Sequence, residues 1–335
     1  MAQVQSDRDV KTPGAGLGGG DPGSGGGVVG RSPRELLLIR FKRDHFAIAG
    51  VIALVVFTIL AILAPFITRL LGPGHEPNST SFLYQMTQEN GLPKGPNVAL
   101  KFYFGADDAG RDVLVRTLYG LRTSLVIAFF ATGLALVIGV VLGMMAGFYR
   151  GKLDTLISRT TDVVLSLPIL LLALGLASAC GTSATGCMGG LIKPGLMLVS
   201  LIIGLFSWPY IARIIRGQVL SLREKEFIEA SRSLGSSNFR IIMREILPNV
   251  AAPIIVFTTL IIPSNILFEA ALSFLGVGVP DSTPSWGAML AGAGDAFTYA
   301  AWLMIFPGLF LFMTTLAFNL VGDGLRDALD PRTSN

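Results

Sequence analysis

Six stretches of this chain are each long and apolar enough to cross a lipid bilayer as a helix. A membrane-spanning helix needs about 20 consecutive, mostly apolar residues. Here 51% of all residues are hydrophobic and only 14% are charged, whereas soluble domains carry about 25% charged residues. The sequence therefore predicts an all-α membrane protein with six transmembrane helices. The candidate spans are residues 46–68, 123–148, 160–180, 196–215, 250–275 and 300–321.

The distribution of Lys and Arg predicts how these spans are oriented. Basic residues concentrate on the cytoplasmic side of membrane proteins, and four basic clusters fall on one side if both termini are cytoplasmic. The long loop 69–110 also carries basic residues, but long loops weigh little in this rule. We interpret the net charge of +4 as a cytosolic membrane face and not as a nucleic-acid-binding surface. The four clusters lie at residues 31–43, 150–159, 213–244 and 326–332.

The N-terminal segment has two parts with different predicted structures. Residues 1–30 are rich in glycine and nearly devoid of large apolar side chains, so we predict a disordered tail there. They also lack the apolar segment of a signal peptide. Residues 32–35, Ser-Pro-Arg-Glu, have the pattern of a helix-capping box with proline in the first turn. They predict a short helix on the inner membrane interface, which together with the first span makes up residues 31–68.

The segment after the first span is predicted to be a long extracellular loop. Residues 69–110 are rich in Pro, Gly and Asn and are too many for a simple turn. At the end of this loop, residues 104–125 contain apolar side chains that can share one side of a helix. We predict an interfacial helix there, leading into the second span. The other five spans form a core domain of residues 111–325, and residues 326–335 form a cytoplasmic tail.

Three glycines in the second span predict close helix packing. Gly139, Gly143 and Gly147 recur every four residues and so lie on one helix face, where another helix can approach closely. The nearby stretch from Gly147 lacks the spacing of a phosphate-binding loop, and Leu153 stands where a magnesium-binding Ser or Thr is required. If ATP drives this protein, we expect another subunit to bind it.

The two cysteines, Cys180 and Cys187, are predicted to form a disulfide. The predicted topology places both on the outer side, where disulfides persist, and the loop between them is short. Two free thiols are the alternative. Because the CxxC spacing is absent and the chain has only two histidines, we expect no metal site.

One carboxylate, Glu269, lies deep inside a predicted span. Buried acidic groups in membranes are costly and are often functional, so a place in a transport pathway is one interpretation. The other is an ion pair near the outer surface with an arginine such as Arg111. No chain of acidic or histidine residues within the spans indicates a proton relay, and no catalytic motif is present.

The polar segment from Glu226 to Pro248 is predicted to be an elbow of two helices. An acid- and arginine-rich helix runs to Gly235, because glycine tolerates the left-handed conformation that ends helices. Residues 236–238, Ser-Ser-Asn, are good caps for a second helix, which we expect Pro248 to disrupt. The elbow either presents itself to a partner or is a solvated connector.

This elbow resembles the EAA loop in the permease subunits of ABC importers. The match consists of residues 229–231, Gly235 and residues 246–248, and it departs from the family pattern at Ser231 and Glu245. Further segments resemble the permeases of peptide importers, and the resemblance covers about residues 32–332. These segments are residues 104–125, 147–168, 269–290 and 306–331.

The resemblance implies a type I ABC importer permease fold with cytoplasmic N- and C-termini, in the bacterial cytoplasmic membrane. Such a subunit is not itself an enzyme. It pairs with a second homologous permease, receives substrate from an extracellular binding protein and docks two cytosolic ATPases, which bind ATP and magnesium. The implied substrate is a dipeptide or oligopeptide; import of nickel or glutathione is an alternative, and a secondary transporter is a rival class. Glu229 is expected to act through its charge, on an ATPase arginine or on Arg232. The implied coupling residues are Phe227, Ile228, Glu229, Ala230, Ser231, Leu234 and Gly235.

Overall fold

The computed structural model describes residues 38–181, 192 and 195–329, and this part of the chain is mostly helical. Five helices are long and apolar enough to span a membrane, and a pair of helices joined by a bend can supply a sixth span. The predicted tail 1–30 and the capping box at residues 32–35 lie outside the described residues. The helices are α1 His45–Leu71, α2 Leu83–Met86, α3 Val113–Tyr149, α4 Gly151–Ser166, α5 Ile169–Gly181, α6 Leu196–Leu222, α7 Glu226–Ser233, α8 Asn238–Arg240, α9 Leu247–Phe274, α10 Trp286–Ala293 and α11 Trp302–Leu329.

The longest helix, α3, contains both part of the predicted interfacial helix and the second predicted span. Asp112 caps its start by accepting hydrogen bonds from the N–H groups of Leu114 and Val115. The helix contains 37 residues, which corresponds to about 55 Å at 1.5 Å per residue. The predicted interfacial helix is therefore the first part of α3 and not a separate element, because no proline interrupts the backbone hydrogen bonds between Val113 and Tyr149.

Helices α3 and α6 pack closely because three glycines of α3 face α6. An added Cβ at Gly139 would lie 2.6 Å from the Cβ of Ile211, and one at Gly147 would lie 2.7 Å from the Cβ of Val219. At Gly143, it would lie 2.7 Å from a backbone carbonyl oxygen of α6. No side chain fits at these distances, so glycine is what allows the two helices this separation.

The third predicted span, residues 160–180, is not one straight helix. Helices α4 and α5 meet at an angle of 83°, and Leu167 between them has an extended backbone. Leu167 precedes a proline, which has no N–H to donate and disfavours the helical conformation of the residue before it. An ion pair between Asp154 Oδ1 and Arg216 Nε, 2.5 Å apart, holds α4 against α6.

Helical backbone runs without interruption from Asn238 to Phe274, so the prediction that Pro248 disrupts this helix was wrong. Residues Ile241–Ile246 form a π-helix, whose turns are wider than those of an α-helix. In a regular α-helix, the ring of Pro248 would clash with the carbonyl group of Arg244, four residues earlier. We attribute the tolerance of this proline to the wider turn directly before it.

The two ends of the helical bundle differ in character. At one end, which we call the basic end, the chain turns at Arg150 and through residues 223–246. At the other, which we call the loop end, lie residues 72–112 and 275–301. The loop end is packed: the ring of His75 lies 4.9 Å from that of Phe102, measured between centroids, and its Nδ1 lies 2.7 Å from an Asp112 carboxylate oxygen.

Candidate functional site

At the basic end, α7 and α8 meet in an elbow at Gly235. This residue has a φ of +78°, in the left-handed region. Its N–H donates to the carbonyl oxygen of Arg232 at 2.9 Å, and the N–H of Ser236 donates to that of Ser231 at 3.1 Å. These two bonds form a Schellman motif. An added Cβ at Gly235 would meet nothing within 4 Å, so glycine is required here for its conformation and not for space.

The second helix of the elbow, α8, is capped by Ser237, which is one of the three adjacent residues predicted as caps. The Ser237 hydroxyl accepts a hydrogen bond from the N–H of Arg240, which satisfies one of the free donors at a helix start. The direction of both arms is therefore fixed locally, by a glycine at the end of one helix and a serine at the start of the next.

Three large apolar side chains of α7, α8 and the turn between them are exposed. Phe227 is 41% exposed, Leu234 87% and Phe239 74%. These side chains are accessible to a partner. Phe239 was not among the predicted coupling residues, although an aromatic residue directly after a cap in a polar stretch was a usable signal.

Ile228, in contrast, is fully buried and cannot contact a partner as predicted. It belongs to a buried apolar cluster with Phe148, Val219 and Ile241, which come from α3, α6 and the π-helix. A helix presents only part of its circumference to solvent, and Ile228 lies on the face of α7 that packs against the bundle. Ile228 therefore anchors the elbow to the bundle.

The remaining predicted coupling residues lie at the surface of α7. Glu229 and Ala230 are exposed and Ser231 is half-buried. Glu229 has no ion pair within the described part of the chain. Arg232, its predicted local partner, instead lies over the ring of Phe148, with the guanidinium carbon 5.4 Å from the ring centroid. The charge of Glu229 therefore remains available to an external group.

Polar contacts that the sequence did not indicate tie residues 223–224, directly before the elbow, to the end of α3. The Arg223 guanidinium donates to the carbonyl oxygen of Phe148, and Arg150 Nη2 lies 2.7 Å from Glu224 Oε1. They join residues about 75 positions apart in sequence, so no local pattern indicated them. Together with the burial of Ile228, they connect the elbow to two of the membrane-spanning helices.

Glu269 is fully buried, and the predicted ion pair with Arg111 is not formed. Its Oε2 accepts a hydrogen bond from the Ser124 hydroxyl at 2.8 Å, and its Oε1 accepts one from the Ser273 hydroxyl at 2.7 Å. Glu269 on α9 is thus joined to α3 through the hydroxyl of Ser124.

Arg111 has nearer carboxylates at the loop end. Its guanidinium contacts Asp107 and Asp281, each at 2.6 Å, and Arg116 contacts the other oxygen of Asp281 at 2.7 Å. Burial raises the pKa of Asp281, but the hydrogen bonds and charges of Arg111 and Arg116 outweigh that effect and hold this pKa below its usual value. The network fastens the loop after α9 to the start of α3.

Cys180 lies in α5 and is disulfide-bonded. Its predicted partner, Cys187, lies outside the described residues, so the pairing stays a prediction.

The helical fold of this chain matches a solved ABC transporter. The chain superposes on an inward-facing conformation of the MetNI methionine ABC transporter with a TM-score of 0.53. The sequences are 20% identical, and the match covers 64% of this chain and 96% of that chain. At this identity the likeness shows the fold alone.

Sequence comparison identifies the family. Residues 139–335 match the binding-protein-dependent transport system inner membrane component, and residues 32–89 match the N-terminal TM domain of oligopeptide transport permease C. This chain therefore belongs to the inner-membrane components of binding-protein-dependent transport systems. It is a multi-pass permease subunit of the ABC importer type.

Individual relatives match over nearly their whole length. The dipeptide transport system permease protein DppC of Alkalihalophilus pseudofirmus is 39% identical, over 90% of each chain. The oligopeptide transport system permease protein OppC of Bacillus subtilis is 36% identical, over 88% of each chain. OppC of Escherichia coli K12 is 37% identical, over 91% of this chain and 93% of the relative.

Proposed function

We propose that this permease passes dipeptides or oligopeptides across the inner membrane in an ATP-driven, binding-protein-dependent importer. The observation that carries the proposal is the agreement among relatives at 36–39% identity, which are named as dipeptide or oligopeptide permeases and match about 90% of this chain. Nickel and glutathione importers use related permeases, whereas these three relatives are named for dipeptide or oligopeptide transport.

In this proposal, two cytosolic ATPases dock on elbows, one of them on the elbow of this chain. Phe227 and Leu234 supply apolar contacts, and the exposed charge of Glu229 meets a basic group of the ATPase. Ile228 transmits movement of the elbow to the bundle, because it packs against α3 and α6. ATP and magnesium are bound by the ATPases. Closure of the ATPases then moves the membrane helices as rigid bodies.

Two further partners complete the proposed transport complex. A second, homologous permease forms a heterodimer with this chain around the transport pathway. A substrate-binding protein docks from outside at the loop end, where Arg111, Arg116 and Asp281 hold residues 72–112 and 275–301 together.

The proposal requires the basic end to be cytosolic, together with both termini. A membrane-impermeant thiol reagent added from outside should label a cysteine placed at Asn90, in the loop end, and should not label one placed at Ser236. Both positions are within the described residues, and each lies in a connecting segment. The reverse pattern would contradict an importer.

Transport by the complete complex tests the function itself. The permease pair, ATPases and binding protein are reconstituted in proteoliposomes and supplied with labelled dipeptides, oligopeptides, nickel and glutathione in turn. We expect ATP-dependent uptake of peptides that is lost without the binding protein. Uptake of nickel or glutathione alone would refute the peptide assignment, and uptake driven by an ion gradient without ATP would refute the class of transporter.

A further inference from the structure

A pocket lies between α6 and α9, with one residue of α5 at its edge. Four of its ten lining residues are polar, namely Ser207, Tyr210, Ser264 and Asn265, and the other six are Phe or Ile. None of the ten is charged, and none is a histidine or cysteine. The pocket therefore offers an apolar wall with a small group of neutral hydrogen-bonding side chains.

The polar group lies near the middle of the membrane. Ser207 follows Leu196, the first residue of α6, by 11 residues, and Ser264 precedes Phe274, the last residue of α9, by 10 residues. At 1.5 Å per residue, both serines are about 15–17 Å from the loop-end termini of their helices. This distance is about half of the roughly 30 Å thickness of the hydrocarbon core.

Asn265 is held in a fixed orientation at the inner wall of the pocket. It is 3% exposed, its Nδ2 donates to Thr132 Oγ1 at 2.8 Å, and its Oδ1 accepts from Ser207 Oγ at 3.0 Å. These two bonds use one of its two N–H donors and one lone pair of its oxygen. The amide is thus oriented by α3 and α6 while keeping further hydrogen-bonding capacity.

Two further hydroxyl groups line the same pocket. Tyr210 and Ser264 are exposed, and neither hydroxyl has a hydrogen-bond partner among the described residues. Unpaired polar groups are costly when they face hydrocarbon. A lipid chain would leave them unpaired. A polar occupant satisfies them.

We infer that this pocket binds the backbone of a peptide during its passage through the membrane, an inference that rests on the proposed function. The hydroxyls of Tyr210 and Ser264 and the oriented amide of Asn265 match the donors and acceptors of peptide groups. The Phe and Ile walls accept side chains of varied shape, and the absence of charge prevents selection by side-chain charge. Nickel does not fit, because the pocket has no imidazole, thiolate or carboxylate ligand.

Photo-crosslinking in the reconstituted complex tests where the peptide passes. Benzoylphenylalanine replaces Tyr210, and in a control it replaces Leu205, an exposed residue of α6 outside the pocket lining. Illumination during ATP hydrolysis, with binding protein and radiolabelled dialanine or trialanine, should attach label to this chain from position 210 and not from 205. Crosslinking of position 210 to the second permease without label would mean a subunit interface and overturn the inference.

Uptake by pocket variants gives an independent measurement. Ser264→Trp places a large indole in the pocket and should strongly reduce peptide uptake, whereas Leu267→Trp places the same side chain at an exposed position outside the lining and should leave uptake unchanged. Ser264→Ala should lower uptake about two- to tenfold, as for the loss of one neutral hydrogen bond. All three variants should retain the ATPases.

The outcomes separate this inference from the proposed function. Normal peptide uptake by both the wild type and Ser264→Trp would refute peptide binding in this pocket and would leave the proposed function as a peptide importer unaffected. No peptide uptake by the wild type, under conditions in which the binding protein stimulates ATP hydrolysis, would refute both.

Discussion

Replacing Gly235 by valine should weaken ATPase binding without disturbing the membrane bundle. Gly235 has a φ of +78°, where an L-residue costs about 1–2 kcal/mol and a β-branched residue is an outlier. No atom lies within 4 Å of the added Cβ, so no steric clash contributes. If the chain relaxes to negative φ, the two Schellman hydrogen bonds break instead, at about 0.5–1.5 kcal/mol each.

Either route makes the docking conformation about 1–3 kcal/mol less favourable, which corresponds to a loss of affinity of about 5- to 150-fold. The assay titrates purified ATPase subunits against the detergent-solubilised permease pair and measures the dissociation constant. Peptide-stimulated ATP hydrolysis is measured in the reassembled complex. Membrane insertion and binding-protein docking should be normal.

Gly217→Val is the matched control. Gly217 is exposed within α6, an added Cβ would meet nothing within 4 Å, and its φ is not positive, so this variant should bind the ATPases as the wild type does. Wild-type ATPase affinity, hydrolysis and transport in Gly235→Val would show that the elbow is a solvated connector and refute its role in coupling.

Three further predictions concern stability and covalent structure. Glu269→Leu leaves buried serine hydroxyls unpaired, which costs about 1–3 kcal/mol each. The midpoint temperature of its thermal unfolding in detergent should therefore be well below that of Glu269→Gln. Equal midpoints would contradict the hydrogen-bonding role of Glu269. Gly143→Leu should prevent recovery of folded protein, because α6 occupies the space that the new side chain needs. Gly133→Leu should be tolerated, because nothing lies within 4 Å of its added Cβ. Equal recovery of the two variants would be evidence against close packing of α3 on α6. A Cys180–Cys187 disulfide should block alkylation of both thiols in non-reduced protein, as read by mass spectrometry, and should stabilise its short loop by about 2–3 kcal/mol.

Features that depend on local chemistry were predictable from the sequence. The spans follow from apolar length, since the backbone polar groups of a segment in lipid must be satisfied within a helix. The left-handed turn at Gly235 follows from the freedom of a residue without a Cβ, and the spacing of Gly139, Gly143 and Gly147 defined a face before its partner was known. Each of these properties involves residues within a few turns of one another.

The helical path of the chain was only partly predictable. The bend at Leu167 was signalled by the proline after it, but a candidate span defined by hydropathy alone ignores backbone geometry. At Pro248 the sequence predicted a break that does not occur. The π-helix at Ile241–Ile246 accommodates a proline that sequence rules treat as a helix breaker. Prolines also lie inside α1, α6, α9 and α11, so a proline alone does not determine where a membrane helix ends.

The side-chain partners were decided by tertiary structure alone. Ile228 and Leu234 are both apolar residues of one elbow, yet one is buried and the other is exposed, because only one face of α7 meets α3 and α6. Glu269 bonds serines of α3 and α9 and not Arg111, whose charge is satisfied by nearer aspartates. Sequence determines which groups need a partner, whereas the packing of distant segments determines which partner comes within hydrogen-bonding distance.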